Sequence, residues 1–253
     1  MHLTYLDSNS WLIEIDGRRI LLDPWLVGEL IFNNAAWLFR GKKNNPQPIP
    51  ENIDLILLSQ GLEDHAHPPT LKQLDKQIPV LASPNAAKVV KELGYTTVTA
   101  LDRDGSFQLG DEVEIQAVPG SPIGPTLTEN GYIIRGLKSN KSIYYEPHGY
   151  HDDSLKETAP IDVIITPITN LKLPLVGAVI KGKKSALQVC QWLNPQVILS
   201  TAAGGDIDFT GMLTSILKAD GTVEEFNRLL AKNNLSTKAI DPQSGETIEL
   251  SLV

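Results

Sequence analysis

Two uninterrupted apolar runs, IDLILLS at 53–59 and IDVIITPI at 161–168, constrain this chain more than anything else in it. A strand without polar alternation has no face to offer water, so each run reads as a strand buried inside a covered sheet. The surrounding pattern supplies more sheet. HLTYL and SWLIEI alternate, and Asp16-Gly17 separates SWLIEI from RRILLDPWL, as expected of a hairpin. PVLAS, SFQLG, VEIQAVP, GYIIRGL, KSIYYEP, PQVILST and ETIELSLV read as further strands, with a turn at Ser139-Asn140. Helices are few. Pro68-Pro69 suits a helix start, with Leu71 and Leu74 on one face. Ser83-Pro84 and Gly94 bracket a second helix, and residues 184–193 form a third. Thr222 with Glu225 makes a capping box for a fourth. GKKNNPQPIP (41–50) reads as loop and GSPIG (120–124) as a plain turn. Hairpins and meanders with few helices exclude a simple βαβ alternation. The expectation is an α+β fold, sheets flanked by helices, in one domain over 1–253.

Composition narrows the function. A chain of 253 residues that is 42% hydrophobic can bury a substantial core. A net charge of −8 with no long Lys/Arg run argues against nucleic acid and against an anionic membrane surface. No apolar run approaches the roughly 18 residues of a membrane span. The N-terminal stretch lacks the basic-then-apolar pattern of a secretory signal. Cys190 is the only cysteine, which excludes an internal disulfide and fits a reducing compartment. The expectation is a soluble cytoplasmic protein.

Four of the five histidines fall in two short loops, each following an apolar strand: His65 and His67 in SQGLEDHAH, His148 and His151 in YYEPHGYHDD. Glu63, Asp64, Glu146, Asp152 and Asp153 accompany them. Strand-end loops can converge at one sheet edge, where sites are commonly built. Imidazole nitrogen with carboxylate oxygen is a donor set that zinc, iron or manganese accepts. Against this stands the plainer possibility that these are solvated loop histidines, with Asp152 or Asp153 capping a short turn at 152–157. No nucleophile elbow, phosphate-binding Gly-Lys-Ser/Thr loop or dinucleotide motif is present.

In order and spacing, NSWLIEIDGRRILLDPWL, IDLILLSQGLEDHAHPPTL, PVLASPNAAKVVKELGY, DRDGSFQLGDEVEIQAVPG, KSIYYEPHGYHD and IDVIITPI resemble the metallo-β-lactamase superfamily over nearly the whole chain. The resemblance implies a four-layer αββα sandwich. Its His-x-His-x-Asp-His motif falls on Gln60, Gly61, Leu62, Glu63, Asp64 and His65, so the first two histidines are replaced and Asp-His is kept. The histidine usual after the next strand is missing from GSPIG, and the last one would fall near Ala202 or Ala203. The bridging-aspartate slot lies near His148.

The resemblance therefore implies loss of the first metal position and a single divalent ion, zinc, iron or manganese, on Asp64, His65 and His148. Glu63, Glu146 or His67 would carry protons, with Asp64 as ligand, and His67 could instead orient Asp64. The function implied is that of a metal-dependent hydrolase. A metal-free, non-catalytic member binding a small molecule or a protein is the alternative, and metal-free acid–base or nucleophilic chemistry in the same pocket a third. Two apolar segments, Trp25 to Phe39 and LPLVGAVIKG (173–182), either belong to core or dimer interface or line a pocket. In the pocket case, with Leu175 and Val176 at its mouth, the small-molecule substrate would be partly apolar.

Overall fold

A computed structural model of the chain describes residues 1–123, 127–173, 177–202 and 204–250. Both apolar runs are central strands. Leu55–Leu58 sits between Arg18–Leu22 and Val80–Ala82 in a seven-stranded sheet whose order continues outward to Val98–Ala100 on one side. On the other side lie Trp11–Ile15, His2–Tyr5 and Thr247–Glu249. Val163–Ile165 sits between Ser142–Tyr145 and Val197–Leu199 in a second seven-stranded sheet, with Lys238–Ile240 at one edge. Leu127–Gly136, Val113–Ile123 and Ser106–Leu109 complete it on the other side.

Period-two geometry explains why these strands are apolar throughout. Leu55 and Leu57 point into the core between the sheets with Ile13, Ile115, Ile134 and Ile165. Ile56 and Leu58 point the other way and pack with Leu71, Ala86 and Val90 of helices Pro68–Gln73 and Pro84–Glu92. In the second sheet Ile133 and Ile164 face outward against Val189, Phe226 and Leu230 of helices Lys183–Leu193 and Val223–Lys232. Three apolar cores thus separate four layers, αββα, the α+β architecture expected.

Local signals hold closely. Ile15 pairs with Arg18 across the hairpin, and Asp16 and Gly17 both take left-handed backbone (φ 49 and 82). Thr222 Oγ1 accepts from the Glu225 amide at 3.2 Å, and Asp152 Oδ1 from Ser154 N at 3.0 Å. Three expectations need correction. Residues 41–50 are not all loop: Arg40–Lys43 pairs with both Glu29–Ile31 and Ile207–Thr210 in a small sheet. Within that strand Lys43 is buried against Asp7 at 2.8 Å. GSPIG does not read as a turn over its described part: Val113–Ile123 runs on through Gly120–Ile123, with a register shift between Pro119 and Pro122. Ser83 starts its helix without capping it; its hydroxyl donates to Asn85 Oδ1 instead. A second small sheet joins Gly177–Ile180, Asn170–Leu173 and Lys218–Asp220. Leu175 and Val176, expected at a pocket mouth, lie outside the described residues. No helix among those described is long and apolar enough to cross a membrane.

Candidate metal centre

The site grows from strand ends. Leu57 O accepts from Asp23 N at 3.0 Å, which places Asp23 beside the last turn of the Leu55–Leu58 strand. Asp23 has a left-handed backbone (φ 41) and a fully buried carboxylate. That carboxylate accepts from Ser59 N at 2.8 Å, from the Ser59 hydroxyl, and from Tyr145 OH at 2.7 Å across the sandwich. Its remaining partner is His65 Nδ1 at 2.7 Å. A carboxylate is acceptor-only, so Nδ1 carries a proton and Nε2 is left for other work. Nε2 lies 3.1 Å from Asp64 Oδ2 and 3.3 Å from Asn9 Nδ2.

His148 is held in a parallel way. Its Nδ1 lies 2.9 and 3.0 Å from the two oxygens of Glu129, a buried residue at the start of Leu127–Gly136. The rings of His65 and His148 are 5.3 Å apart. Donor atoms of Asp64, His65 and His148 lie within 4.8 Å of one another. A second cluster, Glu129, Glu146 and His148, shares His148. Glu146 Oε2 accepts from the amides of His148 (3.2 Å) and Tyr150 (2.7 Å). Its Oε1 is buried with no hydrogen-bond partner, and burial with the neighbouring Glu129 carboxylate raises Glu146.

The electrostatics follow from burial and proximity. Burial raises Glu146, and neighbouring Glu129 raises it further, keeping it protonated. Burial pushes Glu129 up to about 7. Burial alone would lower His65, but the charges of Asp64 and Asp23 outweigh it and hold the imidazole well above its usual range. Burial would raise Asp64, but the facing His65 and His148 pull it below the usual carboxylate value. His148 is lowered by burial and by His65.

Asp64 and His148 open onto a cavity of about 360 Å³. Its walls include Leu30, Phe32, Phe39, Leu171, Ile180 and Phe209, from the two small sheets and the turn beside them. Asp64 Oδ1 is buried with no hydrogen-bond partner. An acceptor-only oxygen left so is expensive unless a cation completes it. The donor set fits one ion: a carboxylate with a free oxygen and two imidazoles whose Nδ1 atoms are each oriented by a carboxylate, as metal-binding histidines usually are.

The structure brings together Asp64, His65 and His148, and Glu146 behind His148. It does not bring in His67. That ring is buried, caps the Pro68–Gln73 helix through Thr70, and places Nε2 3.2 Å from Glu29 O. Burial lowers it to about 4. Both nitrogens are taken by the backbone and the cap, so its expected role as proton carrier or partner of Asp64 has no geometric basis. Glu63 is likewise diverted, accepting from Asn33 N at 3.1 Å. His151 faces Tyr144 OH at 3.0 Å. Gln60 is buried and Leu62 is 41% exposed. Sequence reasoning missed Glu129, Asn9 and the orienting role of Asp23. Glu129 sits in TLTENGY with no histidine nearby, and only the sheet register carries it to His148.

The profile of the beta-lactamase superfamily domain matches residues 2–202. The chain belongs to this superfamily. A relative, a UPF0173 metal-dependent hydrolase of Thermodesulfovibrio yellowstonii, is 22% identical over 98% of this chain and 91% of its own length. Among solved structures of the superfamily's fold, an isothiocyanate hydrolase from Delia radicum gut bacteria superposes with a TM-score of 0.72 at 16% identity, covering 100% of both chains. A metallo-hydrolase of the archaeon Ignicoccus hospitalis gives 0.68 at 16% identity over 99% of each.

Proposed function

We propose that this chain is a metal-dependent hydrolase with one divalent ion, zinc, iron or manganese, held by Asp64, His65 and His148. The observation that carries the reading is the convergence of those three donors around an unpartnered Asp64 oxygen. A bound ion would activate water and polarise a carbonyl-type group. The chain's own residues do the rest. Asp23 fixes the His65 ring and Glu129 the His148 ring. Glu146, raised by burial and by neighbouring Glu129, is the proton-holding group behind the Glu129–His148 pair.

The substrate we infer is a small, neutral molecule with an apolar arm. The volume is of ligand size, and among the described lining residues only Asp64 and His148 can carry charge. Among the described lining residues there is no lysine or arginine to await a phosphate or carboxylate. This reading also takes residues 1–253 as one domain, supported by the pairing of Thr247–Glu249 with His2–Tyr5, and places it in the cytoplasm, in keeping with its one buried thiol.

Metal analysis of protein purified without chelators should find one ion per chain, and Asp64→Ala and His65→Ala should abolish binding and ester hydrolysis. Absence of any stoichiometric metal, with none taken up on titration, would sink the proposal. One observation favours the metal-free alternative: an imidazolium at His65 could itself supply the positive charge between Asp23 and Asp64. In that case both variants alter stability alone.

A further inference from the structure

The hairpin turn between His2–Tyr5 and Trp11–Ile15 is unusually elaborate for a connection of five residues. Asp7 and Ser8 both take left-handed backbone (φ 75 and 55), which is unfavourable for residues with a side chain beyond Cβ. Such strain persists only where surroundings enforce it, and it concentrates at sites of function.

The enforcement is visible on every side. Lys43 Nζ, buried, donates to Asp7 Oδ2 at 2.8 Å and to Leu6 O at 2.7 Å. Asp206 N donates to Asp7 Oδ1 at 3.1 Å. Ser8 O accepts from Thr201 Oγ1 at 2.9 Å and Ala202 N at 3.1 Å, while Ser8 N donates to Gly204 O at 3.1 Å. Ser10 Oγ donates to Asp23 O at 2.9 Å and accepts from Trp25 N at 2.8 Å. The residue held between these anchors is Asn9. It is 2% exposed, and it lines the same cavity as Asp64 and His148. Its amide touches His65 Nε2, the atom that Asp64 Oδ2 also faces.

The amide has two ends. With Nδ2 toward His65, Oδ1 is buried and has no donor. Half a turn about the Cβ–Cγ bond exchanges them and puts the acceptor where Asp64 Oδ2 already points. Two acceptor oxygens converging on one imidazole nitrogen call for a cation among them.

We propose that Asn9 Oδ1 is a fourth protein ligand of the ion held by Asp64, His65 and His148. The proposal rests on the single-ion reading above. It gives the centre two nitrogens and two oxygens, a set that suits manganese or iron as well as zinc. It also explains why the chain maintains a strained turn at this edge of the sheet.

The test uses the full chain, stripped of metal, titrated with Mn²⁺ and separately with Zn²⁺ by calorimetry, with thermal melts of the metal-free forms as a folding control. Asn9→Ala should weaken binding about 10–100-fold while leaving the metal-free melt in place. Asn9→Asp should bind at least as tightly as the unsubstituted chain, because a carboxylate keeps the oxygen. The two outcomes separate a ligand from a simple donor: if Asn9 acts only by donating Nδ2–H to His65, Asp at this position should be as damaging as Ala. An unchanged affinity for Asn9→Ala, or equal damage in both variants, overturns the assignment and leaves the single-ion reading standing. Failure of the unsubstituted chain to bind either ion overturns both. If Asn9→Ala does not fold, Asn9→Ser replaces it in the comparison with Asn9→Asp.

Discussion

Single residues set the chemistry of this chain through the company they keep. His67 and His65 are two positions apart in one loop, yet burial drives one below its usual pKa and two carboxylates hold the other above it. The depressed value of His67 has a consequence for stability. The unfolded chain binds a proton near pH 6.5 and the folded chain only near 4. Between these values the unfolded state is the more protonated, so stability is complete above the upper value and falls as pH drops through the window. Urea titrations from pH 7 to 4 should show this loss, and His67→Asn, which keeps a capping side chain without a titrating ring, should reduce the slope. Asp23 offers a second residue-level test. Asp23→Asn keeps the shape but loses one acceptor and the charge that fixes His65. Calorimetric Mn²⁺ affinity should fall about 10–100-fold, with a lowered melting temperature from the disturbed buried network. No sequence pattern assigns these roles: Asp23 closes the RRILLDPWL run, and only the three-dimensional meeting with Ser59, Tyr145 and His65 gives it work.

At the level of elements, local signals were reliable wherever the element made its own case. The Asp16-Gly17 hairpin and the capped helix at Val223–Lys232 depend on neighbouring residues alone, and both are present. Thr222→Ala should therefore cost about 1 kcal/mol in chemical denaturation, with ion affinity unchanged, because the helix lies on the far side of the second sheet from the site. The Arg40–Lys43 strand was invisible for the opposite reason. Its sequence is basic and its neighbours are Asn and Pro, so it looks solvated, and it becomes a strand only by pairing with Glu29–Ile31 and Ile207–Thr210. Lys43→Ala would leave Asp7 buried without its partner. Loss of a buried ion pair from one side costs about 3–5 kcal/mol, so this variant should melt far earlier. Phe39, which stacks near Phe32 and Phe209 at ring distances of 5.4 and 5.5 Å, belongs to the cavity wall. Phe39→Ala should raise KM for long-chain p-nitrophenyl esters more than for the acetate.

For the whole molecule, the layered architecture was written into the two apolar runs, because a strand apolar on both faces demands cover on both. The site was half-written. Its two loops could be named from histidine spacing, but the partners Asn9, Asp23 and Glu129 come from segments distant in sequence, the first two at strand ends of the first sheet and Glu129 from the second. The central core should be the most sensitive region: Leu57→Ala or Ile165→Ala removes a side chain shared by both sheets and should cost about 2–5 kcal/mol in urea unfolding. The bond from Tyr145 OH to Asp23 crosses that same space. It makes the His65 ring a gauge of the gap between the sheets. Heating that loosens the sandwich, or pressure that squeezes it, would therefore be registered first as a drift in ion affinity, before any strand lets go.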